Sequence, residues 1–281
     1  MPAWGGPTSG NAGPKNPEGL LPPARRYPPA EALSRNFLRR WRYALLVQGL
    51  SLLCSLMLPL PAASLRPEIL HYKVSAPLFP DAGRAVVTLR VLGNGRYEGE
   101  IKGETSGAVA LFSGHRRDRY RTTMQAVNGK LQPLFYIEES WVGKKHRYKE
   151  YRFDYEQQRL EMWRQGDNGE LVLTWETELI EPLYDPITAF YNFRTGRIGP
   201  LTEGESLEVK GIPYPQPETI VIHLGAQEPG KRQATITIRQ RPFDNELGLV
   251  HVIFDDELVP LTAWTRVILF GKLSGRLVDR Y

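Results

Sequence analysis

Apolar residues in most of the chain recur at every second position, and this period constrains the fold more than any other feature. The clearest case is the segment 149–156, where Tyr151, Phe153 and Tyr155 alternate with charged residues. Successive side chains of a β-strand point to opposite faces of a sheet, so this spacing predicts a strand with one buried face. The same alternation recurs in residues 87–91, 171–175, 220–224 and 236–238.

Turn residues separate the predicted strands. Glycine and asparagine tolerate the positive φ that tight hairpins require, and long strands joined by hairpins curl as their sheet twists. We therefore predict an all-β body, a long antiparallel meander that forms an open or closed barrel. The turns are predicted at Gly93-Asn94-Gly95, Asn128-Gly129, Gly143-Lys144 and Asp167-Asn168-Gly169.

Residues 185–194 depart from the period of two and predict one short inserted helix. Asp185 is a favoured helix N-cap, and Pro186 is preorganised for the first helical position. A helix inside a β chain of this kind is expected to plug or cover the barrel. Its predicted apolar stripe consists of Ile187, Phe190 and Tyr191.

The beginning of the chain differs from the rest in composition. Residues 1–34 are rich in proline and glycine, which predicts a disordered extension or a misassigned start codon. Residues 35–64 combine a basic stretch, an apolar run at 43–58 and small residues, the pattern of a secretory signal peptide. Left uncleaved, the apolar run would anchor the chain in the inner membrane. We expect residues 65–281 to form a single barrel-like domain in the periplasm.

The basic character of the chain belongs to its first 64 residues. They hold seven basic and two acidic side chains and so account for the whole formal charge of +5. The remainder has equal numbers of both signs, which argues against nucleic acid as a partner. The single cysteine, Cys54, also lies in this segment, so the remainder has no thiol for catalysis or a disulfide.

Two basic stretches, residues 115–121 and 144–149, are interleaved with aromatic residues. We interpret them as solvated strand faces. The alternative is contact with phosphate, and in an exported protein the expected source is a lipid headgroup or an anionic envelope polymer.

Catalytic motifs are absent from the sequence. The five histidines lack the spacing of metal ligands, and no serine-nucleophile motif or phosphate loop is present, so we predict no catalytic residue, no metal and no cofactor. The acidic run Asp255-Asp256-Glu257 lies between apolar segments and predicts a solvated hairpin turn. Together with Asp185 it supplies the carboxylates for the alternative function, hydrolysis of an envelope polysaccharide or peptidoglycan. Such a hydrolase would need two carboxyl groups about 5–10 Å apart.

Four segments resemble the bacterial secreted proteins of domain-of-unknown-function family 3108. They are residues 70–74, 185–194, 254–260 and 271–277. The second segment is the most specific, with Asp185 and Pro186 at its start and Thr188 where the family usually has serine. Asp255 and Asp256 belong to the third. The resemblance implies an envelope β-protein and brings no catalytic activity with it.

These observations predict a non-enzymatic periplasmic or cell-envelope protein that binds a hydrophobic or amphipathic ligand or scaffolds an envelope component. The expected partners are a lipid, an envelope polymer or another envelope protein. Each candidate ligand-binding residue also has a structural alternative. The aromatic side chains could fill the core, and Arg194 could complement the dipole at the C-terminal end of the helix. The candidate ligand-binding residues are Tyr151, Phe153, Tyr155, Trp175, Phe190 and Arg194.

Overall fold

The computed structural model describes residues 65–212, 217–237, 248–267 and 271–281. The predicted disordered extension and the predicted signal peptide or anchor both fall within residues 1–64 and lie outside the described residues.

The described chain contains fourteen β-strands and two helices. The first eight strands are β1 (Glu68–Ala76), β2 (Phe79–Gly93), β3 (Arg96–Thr105), β4 (Arg117–Val127), β5 (Lys130–Val142), β6 (Lys145–Asp154), β7 (Arg159–Gln165) and β8 (Leu171–Glu178). The other six are β9 (Ser206–Gly211), β10 (Glu218–Glu228), β11 (Lys231–Thr237), β12 (Leu249–Phe254), β13 (Pro260–Val267) and β14 (Gly271–Arg280). Helix α1 (Gly107–Phe112) follows β3, and helix α2 (Pro186–Arg194) follows β8.

All of these strands belong to one antiparallel sheet. Strands β1 to β8 pair in sequence order, as do β9 to β14, and the pairing of β1 with β14 joins the two meanders. The edges of the sheet are therefore β8 and β9, which follow each other in the chain and do not pair. The prediction of an all-β antiparallel meander is confirmed, and the sheet is open.

The hairpin turns form where the sequence predicts them. Gly93, Asn94 and Gly95 all have positive φ, with values of 87°, 52° and 71°. Asn128 and Gly129 also have positive φ, at 48° and 78°. An asparagine or glycine in these places relieves the steric cost that other residues would bear in this conformation.

Helix α2 begins and ends within the predicted residues. The Asp185 carboxylate caps it, because Oδ1 accepts hydrogen bonds from the backbone N–H groups of Ile187 (2.9 Å) and Thr188 (3.0 Å). Pro186 occupies the first turn, where its missing N–H is not needed. The sequence did not predict α1, a six-residue helix without a side-chain cap hydrogen bond and with only one buried residue.

Side chains of α2 and of its N-cap Asp185 form hydrogen bonds with β1, β4 and β5 on the concave face of the sheet. Thr122 of β4 donates to Asp185 Oδ2 (2.9 Å) near the start of the helix. The Tyr191 hydroxyl donates to Glu68 Oε1 on β1 (3.0 Å). Asn192 meets the backbone of β5. The helix thus fills the inside of the curve and joins strands that are far apart in the sheet, as the plug prediction expected.

The hydrophobic core consists of two clusters that meet at α2. The first includes Tyr151, Ile187 and Tyr191 and lies under strands β2 to β7. The second includes Phe193 of the helix and Phe254 of β12, whose ring centroids lie 5.5 Å apart. Helix α2 therefore packs against both halves of the sheet.

Replacing Asn192 by alanine is expected to lower the free energy of unfolding by about 2 kcal/mol. Asn192 Oδ1 accepts from the Leu131 backbone N–H (2.8 Å), and Nδ2 donates to the Leu131 carbonyl (2.8 Å), with both residues buried. Alanine would leave both backbone groups without partners. Chemical denaturation measures the loss. A matched change at the exposed Asn168, Asn168→Ala, should cost much less, and equal costs would contradict the role of the buried pair.

Candidate functional site

The sequence-predicted aromatic residues lie together on the inward face of the sheet. Tyr151 on β6 and Trp175 on β8 are both register partners of Met162 on β7, so they occupy one row. Phe153 is buried in the same core cluster, and Tyr155 packs against it with its hydroxyl donating to the Pro133 carbonyl (2.9 Å). Their packing gives these residues a role in the core, while ligand binding by them stays a prediction.

Phe190 and Arg194 lie on α2. Phe190 packs against both core clusters. The Arg194 guanidinium forms an ion pair with Glu68, and each of the two side chains is only 9% exposed. Arg194 borders a groove of about 490 Å³, with its charge already balanced by that carboxylate. Contact of Arg194 with an anionic ligand also stays a prediction.

The candidate carboxylates of a hydrolase take part in local structure. Asp185 is fully buried, which raises its pKa, while hydrogen bonds from Thr188 and Thr122 act in the opposite direction. Asp255 lies in the predicted turn between β12 and β13, where Oδ1 accepts from the backbone N–H groups of Glu257 (2.9 Å) and Val259 (2.8 Å). Asp185 and Asp255 line none of the described grooves, whereas Asp256 and Glu257 border the groove of about 490 Å³, where Glu257 forms an ion pair with Arg280.

The largest described groove, about 1010 Å³, lies on the other side of the sheet from α2. Gly99 of β3 faces the helix, and Lys102, three residues further along the strand, therefore faces outwards. The rows that line the groove run across β1 to β5. They bring together five cationic side chains and one indole, Lys73, Arg84, Lys102, Arg117, Arg119 and Trp141, and four carboxylates line the same groove, Asp81, Glu104, Asp118 and Asp279.

Strand register explains why these residues meet. Lys73 is the register partner of Arg84, Arg84 of Glu104, Glu104 of Arg117, and Arg117 of Trp141. These residues therefore form one row across five neighbouring strands, with their side chains on the outward face of the sheet. The cations are separated along the chain and become neighbours only once the sheet has formed.

Two of the groove cations share a carboxylate. Glu100 receives Lys102 Nζ at 2.8 Å and Arg119 Nε at 2.7 Å, and it is itself buried. Burial raises the pKa of Glu100, but the hydrogen bonds and charges of Lys102 and Arg119 outweigh this effect and hold the pKa below the usual range of a glutamate. Glu100 therefore stays ionised at neutral pH and fixes the positions of both cations.

Lys73 and Arg84 differ from this pair. In the part of the chain that the structure describes, neither side chain forms an ion pair with a carboxylate. Both are exposed and border the groove. Arg117 forms no ion pair among the described residues either, but its guanidinium lies over the Trp141 ring, so Lys73 and Arg84 are the neighbouring pair with charge available for a bound anion.

Trp141 provides the groove with a large apolar surface. Its ring stacks on His146 with the centroids 4.9 Å apart and an interplanar angle of 15°. The Arg117 guanidinium lies 5.8 Å from the Trp141 ring centroid, within the range of a cation–π contact. The indole is thus held in place from two sides next to the cationic row.

The structure also brings together the two basic stretches noted in the sequence. The segment before β4 and the turn between β5 and β6 are joined by a hydrogen bond from the Gly143 N–H to the Gly114 carbonyl (2.7 Å). Arg117 and Trp141 on the paired strands then lie side by side. The two basic stretches are recognisable in the sequence, whereas Lys73, Arg84 and Lys102 are not marked there as site residues. The alternation of apolar and polar residues in the sequence indicates that these three side chains face outwards. They become neighbours only because strands β1 to β4 pair.

Arg197 is expected to destabilise the folded chain slightly, so replacing it by methionine should raise the free energy of unfolding by about 1 kcal/mol. Its Nε and Nη1 atoms are buried with no hydrogen-bond partner among the described residues, and burial lowers its pKa. Thermal unfolding of Arg197→Met measures the effect, with Arg90→Met at an exposed salt bridge as the control. A marked loss of stability in Arg197→Met would show that the cation has a partner in solution.

A search of the described residues for three or more His, Cys, Asp or Glu side chains arranged to hold a metal ion found no such group. Neither helix in the described ranges has the length and apolar character needed to cross a membrane.

One open antiparallel sheet with a helix on its concave face defines an all-β, barrel-like protein. The chain belongs to the family described as "Protein of unknown function (DUF3108)", whose profile matches residues 70–234. This match covers β1 to the middle of β11, including α2 and most of the groove.

One solved structure is similar to the chain at low sequence identity. The chain is similar to a crystal structure from Brucella abortus described as a beta-barrel-like protein of domain of unknown function DUF1849. The identity is 9% and the TM-score 0.46, with 76% of this chain and 96% of the other covered. No curated protein matches the chain.

Proposed function

We propose that this chain is a non-enzymatic protein of the bacterial cell envelope that binds an amphipathic ligand with an anionic headgroup. The observation that carries the proposal is the outward groove, where the unpaired cations Lys73 and Arg84 lie in the same row as Trp141. A periplasmic location is part of the proposal, supported by the signal-peptide pattern of residues 35–64.

The groove carries carboxylates as well as cations, and an anionic group is favoured at the neighbouring pair Lys73 and Arg84. Lys102 and Arg119 are held by Glu100, while Lys73 and Arg84 have no carboxylate partner among the described residues. A phosphate or carboxylate placed between Lys73 and Arg84 would gain charge-assisted hydrogen bonds, which are about twice as strong as neutral ones. The arginine fork suits either group.

The apolar lining favours a ligand that also has a hydrocarbon or ring portion. Trp141, Val86 and Val278 border the same groove as the cations. At about 1010 Å³, the groove lies at the upper end of the volumes found for small-molecule sites. A headgroup at the cations and an apolar portion along these side chains would use both kinds of surface.

The concave side offers less support for a ligand. The aromatic residues there pack against α2, and the helix is held to the sheet by buried hydrogen bonds of Asp185, Tyr191 and Asn192. A ligand on that side would have to displace these contacts. The alternative of a hydrolase has less support as well, because Asp185 caps a helix, Asp255 orders a turn, and Glu257, which borders a groove beside Asp256, is paired with Arg280.

Titration with a short-chain, water-soluble phosphatidylglycerol tests the proposal. Calorimetry on the full chain should show binding that weakens with added salt, because the contact is partly ionic. The double variant Lys73→Glu/Arg84→Glu should lose at least about tenfold in affinity, since each charge-assisted hydrogen bond contributes about 1.5 kcal/mol or more. Lys130→Glu, an exposed charge reversal at the start of β5, is the matched control and should bind as the wild type does.

Two results would contradict the proposal. One is no binding by the wild type, and the other is equal binding by the wild type and the double variant. Loss of binding in Lys130→Glu to the same extent would show a dependence on net charge alone and would also count against a defined site.

A further inference from the structure

Three large apolar side chains are unusually exposed at one end of the sheet. Leu78 is 84% exposed in the turn between β1 and β2, and Leu111 and Phe112 of α1 are 71% and 80% exposed. The two elements are adjacent, because the Ser106 backbone N–H before α1 donates to the Ala82 carbonyl of β2 (3.0 Å). Contact of large apolar side chains with water is unfavourable, so we expect a partner to cover them.

Exposed cations flank these apolar residues. The hydrogen bond from the Gly143 N–H to the Gly114 carbonyl places the β5–β6 turn beside the segment that follows α1. Lys144 of that turn and Lys145, the first residue of β6, are exposed. We name the five side chains Leu78, Leu111, Phe112, Lys144 and Lys145 the rim patch.

We propose that the rim patch binds the surface of a bilayer that contains anionic lipid, with its apolar side chains entering the interface. The apolar residues stand on a hairpin turn and a short helix, and the lysines beside them match the negative potential of anionic headgroups. The apolar surface sits at protruding tips rather than in a recess. That shape fits a deformable lipid surface.

The same charges argue against a protein partner. The buried centre of a protein interface is depleted of charged residues, particularly lysine. In the rim patch Lys144 and Lys145 lie at the turn bonded to the segment after Phe112, where a protein interface would have to desolvate them. At a bilayer surface their ammonium groups can stay at the level of the headgroups.

This inference goes beyond the proposed function and uses side chains outside the groove row. Lys73 and Arg84 have no part in it, so a failure of ligand binding in the groove would leave it standing. Failure of the rim patch to bind a bilayer would likewise leave the groove proposal standing, because the soluble short-chain lipid used to test the groove offers no bilayer surface.

Site-specific fluorescence on the full chain tests the proposal. Phe112→Trp places an indole in the rim patch, and Ile180→Trp places one at an equally exposed apolar position elsewhere, 79% exposed. The probe is a vesicle of phosphatidylcholine containing phosphatidylglycerol at about a quarter of the lipid, with brominated acyl chains as the quencher. Emission of the wild type is subtracted to remove the native tryptophans.

Bromine should quench the indole at position 112 and leave the indole at position 180 unquenched. The quenching should disappear in vesicles of phosphatidylcholine alone. Lys144→Glu/Lys145→Glu in the Phe112→Trp background should raise the lipid concentration needed for half-maximal quenching about tenfold, and Lys130→Glu should not change it.

Equal quenching at positions 112 and 180, or no quenching at 112, would overturn the proposal. So would quenching at 112 that does not depend on phosphatidylglycerol. Every substituted residue is exposed, so thermal unfolding of the variants should match that of the wild type and confirms that they are folded.

Discussion

Replacing Gly99 by alanine is expected to lower the free energy of unfolding by about 3 kcal/mol, the upper part of the range for overpacking a core. A Cβ atom at Gly99 would lie 2.5 Å from Ile187 Cγ2 and 3.3 Å from Met124 Cε. Ile187 is buried on α2, and hydrogen bonds of Asp185, Tyr191 and Asn192 hold this helix to the sheet, so Ile187 has little room to move. The absent side chain at Gly99 allows the helix to approach β3.

Gly103→Ala is the matched control. Gly103 lies on the same strand and faces the same side, since it is four residues further along, but no atom lies within 4 Å of its Cβ position. Chemical denaturation of the two variants should show a loss for Gly99→Ala and almost none for Gly103→Ala. Similar small losses in both would mean that α2 does not pack closely against β3.

Replacing Asp185 by alanine should cost about 3 to 4 kcal/mol. The carboxylate accepts hydrogen bonds from the backbone of Ile187 and Thr188 and from the hydroxyls of Thr122 and Thr188, all of them buried. Alanine removes the cap and leaves these donors without partners in the core. Asp185→Asn keeps one carbonyl oxygen for the backbone N–H groups and should lose less.

Ser106→Ala provides the comparison for Asp185→Ala. Ser106 is the N-cap of α1, but its side chain makes no cap hydrogen bond and α1 is largely exposed. Its replacement should change the thermal unfolding temperature little. A large loss of stability in Ser106→Ala together with a small loss in Asp185→Ala would contradict the prediction that the cap of α2 stabilises the fold and the cap of α1 does not.

The local parts of the fold were predictable from the sequence. The alternation around Tyr151 and Phe153 indicated strands, and glycine and asparagine marked the turns. The pair Asp185-Pro186 marked the start of α2 within one residue. Each of these signals depends on neighbours in the chain, so no knowledge of the tertiary structure is required to read them.

Long-range parts of the fold were not predictable in the same way. The pairing of β1 with β14 joins the two ends of the described chain, and no sequence signal fixes its register. Helix α1 lacks both a side-chain cap and a buried stripe, and its short apolar sequence gave no helical period. The close approach at Gly99 depends on where α2 lies, which a single glycine in a strand does not reveal.

The candidate site shows the same limit. The sequence identified the aromatic residues of β6 because they alternate, and the structure packs them around α2. Lys73 lies in the family-like segment 70–74, but neither it nor Arg84 belongs to a basic cluster in the sequence that would mark it as a ligand-binding residue. They join Arg117 and Trp141 in one row only through the pairing of five strands, which periodicity alone cannot supply.

Native mass spectrometry of the protein released from a bacterial periplasm without detergent tests the central claim most directly. The account predicts that the full-length gene product reaches the periplasm and carries one bound amphipathic molecule with an anionic headgroup, identified by extraction. It also predicts that Lys73→Glu/Arg84→Glu is recovered folded and without that molecule. A wild-type chain that is absent from the periplasm or free of ligand, or a double variant that retains the ligand, would contradict the account.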